Sequence, residues 1–139
     1  MKFKNTVILL LIGAVLLVGG IYFFAGNSVL PIENDTVSDI EFRVYPQDTR
    51  CYTVTDDNRV NEIVFAINSL SVEKCDTRPE RMGEYYYSIN LNCLGDNDIW
   101  VEFDEKIISL KNENYAADTT ALHELLEKTY HDIKYWNIE

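Results

Sequence analysis

The chain has 139 residues, with 12 basic and 23 acidic side chains and a net charge of −11. That balance repels nucleic acid and anionic lipid, so neither is an expected partner. The three cysteines form no CxxC pair and no zinc-ligand spacing, which excludes a structural zinc site, and no cofactor motif is present.

Residues 1–5 are a short stub carrying Lys2 and Lys4. Residues 6–25 read TVILLLIGAVLLVGGIYFFA, without a charge. A bilayer core about 30 Å thick needs roughly 20 apolar residues in a helix, so this stretch is long enough to span it. Positive flanks stay cytoplasmic. Beyond the stretch Glu33, Asp35, Asp39 and Glu41 precede the first basic residue, Arg43. The expected topology is a single pass through the cell membrane, N-terminus inside and the rest extracellular. A cleaved signal peptide is the competing reading. Its apolar region is about 7–15 residues and ends at small residues. Here the run is longer, and Phe23 and Phe24 stand near its end, so an uncleaved signal anchor is expected. The first cysteine is Cys51, so no lipid attachment site follows the run, and its glycines form no GxxxG. Without Lys2 and Lys4 the outer part keeps 10 basic against 23 acidic residues, a net −13, which reads first as solubility.

Residues 26–39 hold Gly, Asn, Ser, Pro and Asp with little periodicity and read as a linker. Residues 40–139 read as one extracellular domain. Ile40, Phe42 and Val44 alternate with Glu41, Arg43 and Tyr45, the period of a half-buried strand. Pro46-Gln47-Asp48 turns the chain, and RCYTVT (50–55) is a second strand. Asp56-Asp57 caps a helix over 58–70, in which Val60, Ile63, Val64, Ile67 and Leu70 share one face. Residues 71–83, with Pro79 and Gly83, read as a loop. In 84–94, Tyr85, Tyr87, Ile89, Leu91 and Cys93 share one face of a strand, and Tyr86, Ser88, Asn90 and Asn92 the other. The turn Gly95-Asp96-Asn97-Asp98 leads to a strand with Ile99, Val101 and Phe103 on one face and Trp100 and Glu102 on the other. Asp104-Glu105 is a tight turn into the short strand KIISL (106–110). Residues 111–117 read as a connector, and Asp118 or Thr119 caps the last helix. There Leu122, Leu125, Leu126, Thr129 and Ile133 face inward, with His123, Glu127, His131 and Lys134 on the opposite side.

The order β-β-α-β-β-β-α predicts an α+β two-layer sandwich, an antiparallel-rich sheet with two helices on one face. In that arrangement the first helix returns along the strand that feeds it. Cys51 and Cys75 then come together as the expected disulfide, and Cys93 is a small core residue.

No catalytic set stands out. His123-Glu124-Leu125-Leu126-Glu127 lacks the second histidine of the zincin motif HExxH. His123, Glu127 and His131, at successive four-residue steps, read as an exposed face with weak side-chain pairs. Asp96, Asp98, Asp104 and Glu105 offer oxygens to calcium, but the EF-hand pattern is missing and Asp and Asn are ordinary turn residues. No serine sits in a nucleophile elbow, and Glu73 and Asp76 beside Cys75 disfavour a reactive thiolate. Carboxylate pairs abound in so acidic a chain, and nothing singles one out. The aromatics are the remaining candidates. Tyr85, Tyr86, Tyr87 and Trp100 are the expected ligand-binding group, with Tyr86 and Trp100 on the open face of the sheet.

The unit YSINLNCLGDNDIWVEF, the Tyr115 ahead of LHELLEKTY, and the strand–helix–meander–helix order across about residues 40–135 resemble small membrane-anchored ectodomains of unknown function in Gram-positive bacteria. They are also similar to the outer domains of membrane-embedded sensor peptidases of the antirepressor type. The resemblance assigns no catalytic residue. The anchor and the lack of a catalytic set point to a non-enzymatic extracellular sensory or binding domain, its partner an extracellular protein, peptide or glycan. A cell-envelope hydrolase or inhibitor using carboxylates in a cleft is the alternative, and a calcium-dependent adhesion module a third.

Overall fold

The computed structural model describes residues 31–136 apart from Glu84 and Asp96. The stub, the apolar stretch and most of the linker lie outside the described residues. Among those described, no helix is long and apolar enough to cross a membrane. A compact unit starts at Ile32.

The unit is α+β: a seven-stranded antiparallel sheet and two α-helices. A short 3-10 turn, Asn34–Thr36, leads into β1 (Val37–Tyr45) and β2 (Asp48–Val54). Helix α1 (Asp57–Asn68) follows, then β3 (Glu73–Cys75), β4 (Tyr86–Cys93) and β5 (Ile99–Phe103). The chain ends its described part with β6 (Ile107–Leu110), β7 (Glu113–Ala116) and helix α2 (Thr120–Trp136). The spatial order is β2-β1-β4-β5-β6-β7-β3.

Alternation decides which face is buried. Ile40, Phe42 and Val44 of β1 sit opposite Leu91, Ile89 and Tyr87 of β4, which in turn face Ile99, Val101 and Phe103 of β5. The side-chain period of two puts all nine on one face. Ile108 and Leu110 of β6 continue it. Val60, Ile63, Val64 and Ile67 of α1, with Leu122 and Leu126 of α2, are buried over this layer. Tyr130 joins them, its ring edge-on to Tyr52 of β2 at 5.2 Å. Arg59 of α1 and Asp132 of α2, 3.2 Å apart, tie the helices together.

The caps follow the expected chemistry. Asp56, in extended conformation, accepts from the Arg59 amide at 2.9 Å and starts α1. At α2 the work is divided. The Thr119 carbonyl takes the first helical amide, from His123, while the Asp118 carboxylate accepts from the Thr120 amide and hydroxyl.

Three expectations change. First, the loop at 71–83 and the connector at 111–117 each contain a strand, and β3 and β7 pair with each other. Second, the expected linker is docked from Ile32 onward. Ile32 is 4 % exposed; its amide donates to Asn68 Oδ1 at 2.7 Å and its carbonyl accepts from Asn68 Nδ2 at 2.8 Å. Third, Cys51 and Cys75 are free thiols on opposite edges of the sheet, as β2 and β3 are its outermost strands. Six strand spacings of about 4.8 Å separate them, far beyond the reach of a disulfide. The chain leaves α1 and crosses to the far edge instead of returning to β2. Cys93 is also free and partly buried.

Candidate functional site

The sheet face away from the helices is polar and organised in rows. Arg43, Ser88, Glu102, Ser109, Asn114 and Cys75 are directly opposed, one per strand, across six strands. The neighbouring row runs Thr53, Glu41, Asn90, Trp100. A further ladder joins Asn90 to Asn92 at 2.7 Å and Asn92 to Asp39 at 2.5 Å.

The four aromatics expected as one group divide between environments. Tyr85 and Tyr87 turn to the helix side, where both pack on His123. Tyr87 is 1 % exposed and stacks on Phe103, planes 8° apart. Tyr86 does turn to the open face, but it is buried rather than displayed, at 4 % exposure. Tyr45 packs on it, and the Arg81 guanidinium covers its ring at 5.9 Å. Its Oη is buried without a hydrogen-bond partner among the described residues, with Glu102 and Arg81 as polar neighbours. Burial holds this phenol well above the ordinary tyrosine value. Trp100 alone is displayed, at 50 % exposure. Tyr86 and Trp100 are also apart along the sheet. Trp100 sits opposite Asn90, four residues and about 13 Å along β4 from Tyr86, with the Ser88–Glu102 pair between.

The segment 76–83 covers Tyr86. Its Arg81 donates to Glu102 Oε1 at 3.0 Å, and its Glu80 amide donates to Asp104 Oδ2 at 2.6 Å. Pro79 is the buried residue of this segment. Asp104 is a hub: its other oxygen accepts the Lys106 and Ile107 amides, both at 2.8 Å, and its carbonyl accepts the Thr119 hydroxyl. These bonds use the carboxylate that the sequence offered to calcium. Among the described residues no group of three or more His, Cys, Asp or Glu is placed to hold a metal; Asp96 lies outside them.

The segment creates a cleft on each side. One, of about 600 Å³, lies between it, Tyr85 and the β5–β6 turn. The other, of about 540 Å³, lies on the open face. Its floor is Trp100 and Glu102 of β5, Ser109 of β6 and Asn114 of β7. Arg78, Pro79 and Arg81 wall it on one side, with Lys111, Asn112 and Asp98 completing the rim. Glu102 is paired with Arg81, and Asp98 accepts the Cys93 amide at 3.0 Å. Arg78 and Lys111 have no ion-pair partner among the described residues.

Lys111 and Asn112 have φ of +49° and +66°. Two left-handed residues between paired strands are the backbone of a tight two-residue hairpin, a position that favours Asn and Gly and that lysine rarely adopts. The sequence signal was available: IISL and ENYA flank a Lys-Asn pair. Arg78 had no such signal, because its place depends on where its segment folds back.

Comparison of the chain with protein-family profiles, curated proteins and solved structures returns no match.

Proposed function

We propose that this chain is a single-pass membrane protein, anchored by residues 6–25 with its N-terminus in the cytoplasm, that displays a non-enzymatic binding or sensory domain outside the cell. The observation that carries the binding reading is the half-exposed Trp100 lining the 540 Å³ polar groove on the sheet face that neither α1 nor α2 covers. Ligand sites are concave, with an aromatic surface and a few convergent polar groups. A half-exposed indole at such a place offers a ligand a flat apolar surface with a polar N–H handle. The commitments of the nearby carboxylates favour binding over carboxylate catalysis. Glu102 is held by Arg81, Asp104 by backbone amides and Asp98 by the Cys93 amide.

The anchor rests on the composition of residues 6–25 and on Lys2 and Lys4. Fusions of alkaline phosphatase, active only outside the cytoplasm, to the C-terminus of the full chain test the topology. The expected result is an active, membrane-bound reporter. An inactive reporter overturns the displayed domain, and an active one released to the medium overturns the anchor.

A further inference from the structure

We infer that the groove beside Trp100 takes an acidic saccharide, a sugar chain bearing carboxylate or phosphate groups; this deepens the binding-domain reading and rests on it. Charge is the first argument. In a chain of net −11, the groove is lined by three cations, Arg78, Arg81 and Lys111, against two carboxylates. Both carboxylates are engaged, which leaves Arg78 and Lys111 without an ion-pair partner among the described residues, over the same space. A planar guanidinium and a mobile ammonium on one groove form charge-assisted hydrogen bonds to a carboxylate or phosphate.

The floor is the second argument. Ser109, Asn112 and Asn114 present donors and acceptors together, which suits a ligand covered in hydroxyls. The Trp100 indole supplies a flat apolar surface beside them, matching the C–H face of a sugar ring. A peptide fits less well. Peptides bind sheets by adding a strand at a free edge, and the edges here are β2 and β3. The Trp100 strand, β5, lies inside the sheet and is paired on both sides. Lys111 is the third argument. Its left-handed backbone is a local departure from what lysine prefers, at the residue that completes the groove's rim.

The test uses the full chain in detergent micelles with Trp136→Phe, so that Trp100 is the sole indole. Its fluorescence is followed against four probes. Oligogalacturonate and phosphorylated oligomannose carry the two anions on sugar. Methyl-esterified oligogalacturonate keeps the ring without charge, and hexaglutamate keeps the charge without the ring. The expected result is saturable binding of at least one acidic saccharide, weakened about tenfold by loss of one charged contact in Arg78→Ala or Lys111→Gly. Glycine relieves the left-handed strain at 111, so Lys111→Gly is expected to keep or raise the melting temperature while losing affinity. Equal binding of the methyl ester, or equal binding of hexaglutamate, overturns the acidic saccharide and leaves the groove as a ligand site. An indole silent to all four probes also overturns it, while the displayed-domain reading is judged separately by the reporter fusions.

Discussion

His123 lies flat on Tyr85, ring centroids 3.8 Å apart and planes within 18° of parallel, and Tyr87 meets the same imidazole edge-on at 5.4 Å. The first turn of α2 is thereby clamped to the start of β4. The His123 Nδ1 is buried without a hydrogen-bond partner among the described residues, and Nε2 lies 3.7 Å from Glu127. The ring therefore acts chiefly as a flat packing surface. His123→Phe keeps the stack and removes a buried unpaired nitrogen, so its stability is expected to equal or exceed that of the parent. His123→Ala is expected to lose about 1–3 kcal/mol through the lost aromatic contacts and the space left behind. Urea denaturation of both variants checks the order, and a phenylalanine variant weaker than the alanine one would refute the packing role.

Asn68 mimics a strand partner for Ile32, accepting from its amide and donating to its carbonyl. This pair fixes where the segment that leads from the proposed anchor joins the domain. Asn68→Ala leaves both backbone groups of Ile32 unpaired, an expected loss of about 1–3 kcal/mol. Hydrogen exchange at the Ile32 amide is expected to speed up in that variant while the α2 core amides, such as Leu126, keep protection nearer the parent's. Unchanged exchange at Ile32 would show that the pair does not hold the segment.

Stability depends on pH from both sides. Burial, with hydrogen bonds to acids, pushes the Tyr52 and Tyr115 phenols up to about 12. A raised phenol stays neutral in the fold, so its contribution is fully present below about pH 10, the unfolded value, and is lost as pH rises through about 12. On the acid side, Arg50, followed by Tyr52, holds the Asp48 carboxyl well below the usual range. Its contribution is present above about pH 4 and is lost on acidification. Tyr52 donates to Asp48 at 2.5 Å and Tyr130 at 3.3 Å, so this carboxylate also joins β2 to α2. Asp48→Asn is expected to lower stability at neutral pH and flatten the acid limb, read as melting temperature against pH. Tyr115→Phe is expected to flatten part of the alkaline limb. An acid limb unchanged in Asp48→Asn would remove Asp48 from its cause.

The three thiols are separate. Peptide maps of the protein with and without reductant are expected to match, with no Cys51–Cys75 crosslink within a chain. Cys51 is exposed while Cys75 and Cys93 are partly covered, so Cys51 is expected to react first with a thiol reagent in the folded state. A bridged Cys51–Cys75 peptide would contradict the strand order itself.

Much of the fold was readable along the chain. Period-two alternation in β1, β4 and β5 identified the strands and the buried face, because in a half-buried strand each side chain reports its own side. The 3.6-residue stripe of α1 and the Asp56 cap were equally local. Helical spacing puts His123 on the outer face of α2, but its ring reaches back to β4, and Tyr130 enters the core because Tyr52 and Asp48 receive it. The aromatic group was half legible: Trp100 is displayed as alternation implied, but the covering of Tyr86 depends on Arg81, which no pattern near Tyr86 announces.

Residues 6–25 need no partner to read as membrane-spanning in composition, since the absence of charge over that length is a property of the segment alone. The same holds for the acidity of the chain and for the long strands and helices, whose side-chain periods repeat often enough to be recognised. Strands β3 and β7, of three and four residues, carry too little repetition for that. β7 takes its first partner from the adjacent β6, and β3 exists because β7 completes its backbone hydrogen bonds, a pairing across about 40 residues of chain that loop-closure entropy opposes until the intervening strands are in place. That pairing parts Cys51 from Cys75. It also brings the segment 76–83 over the sheet and sets Arg78 and Lys111 on one groove with Trp100, so the candidate site is a product of contacts distant in sequence.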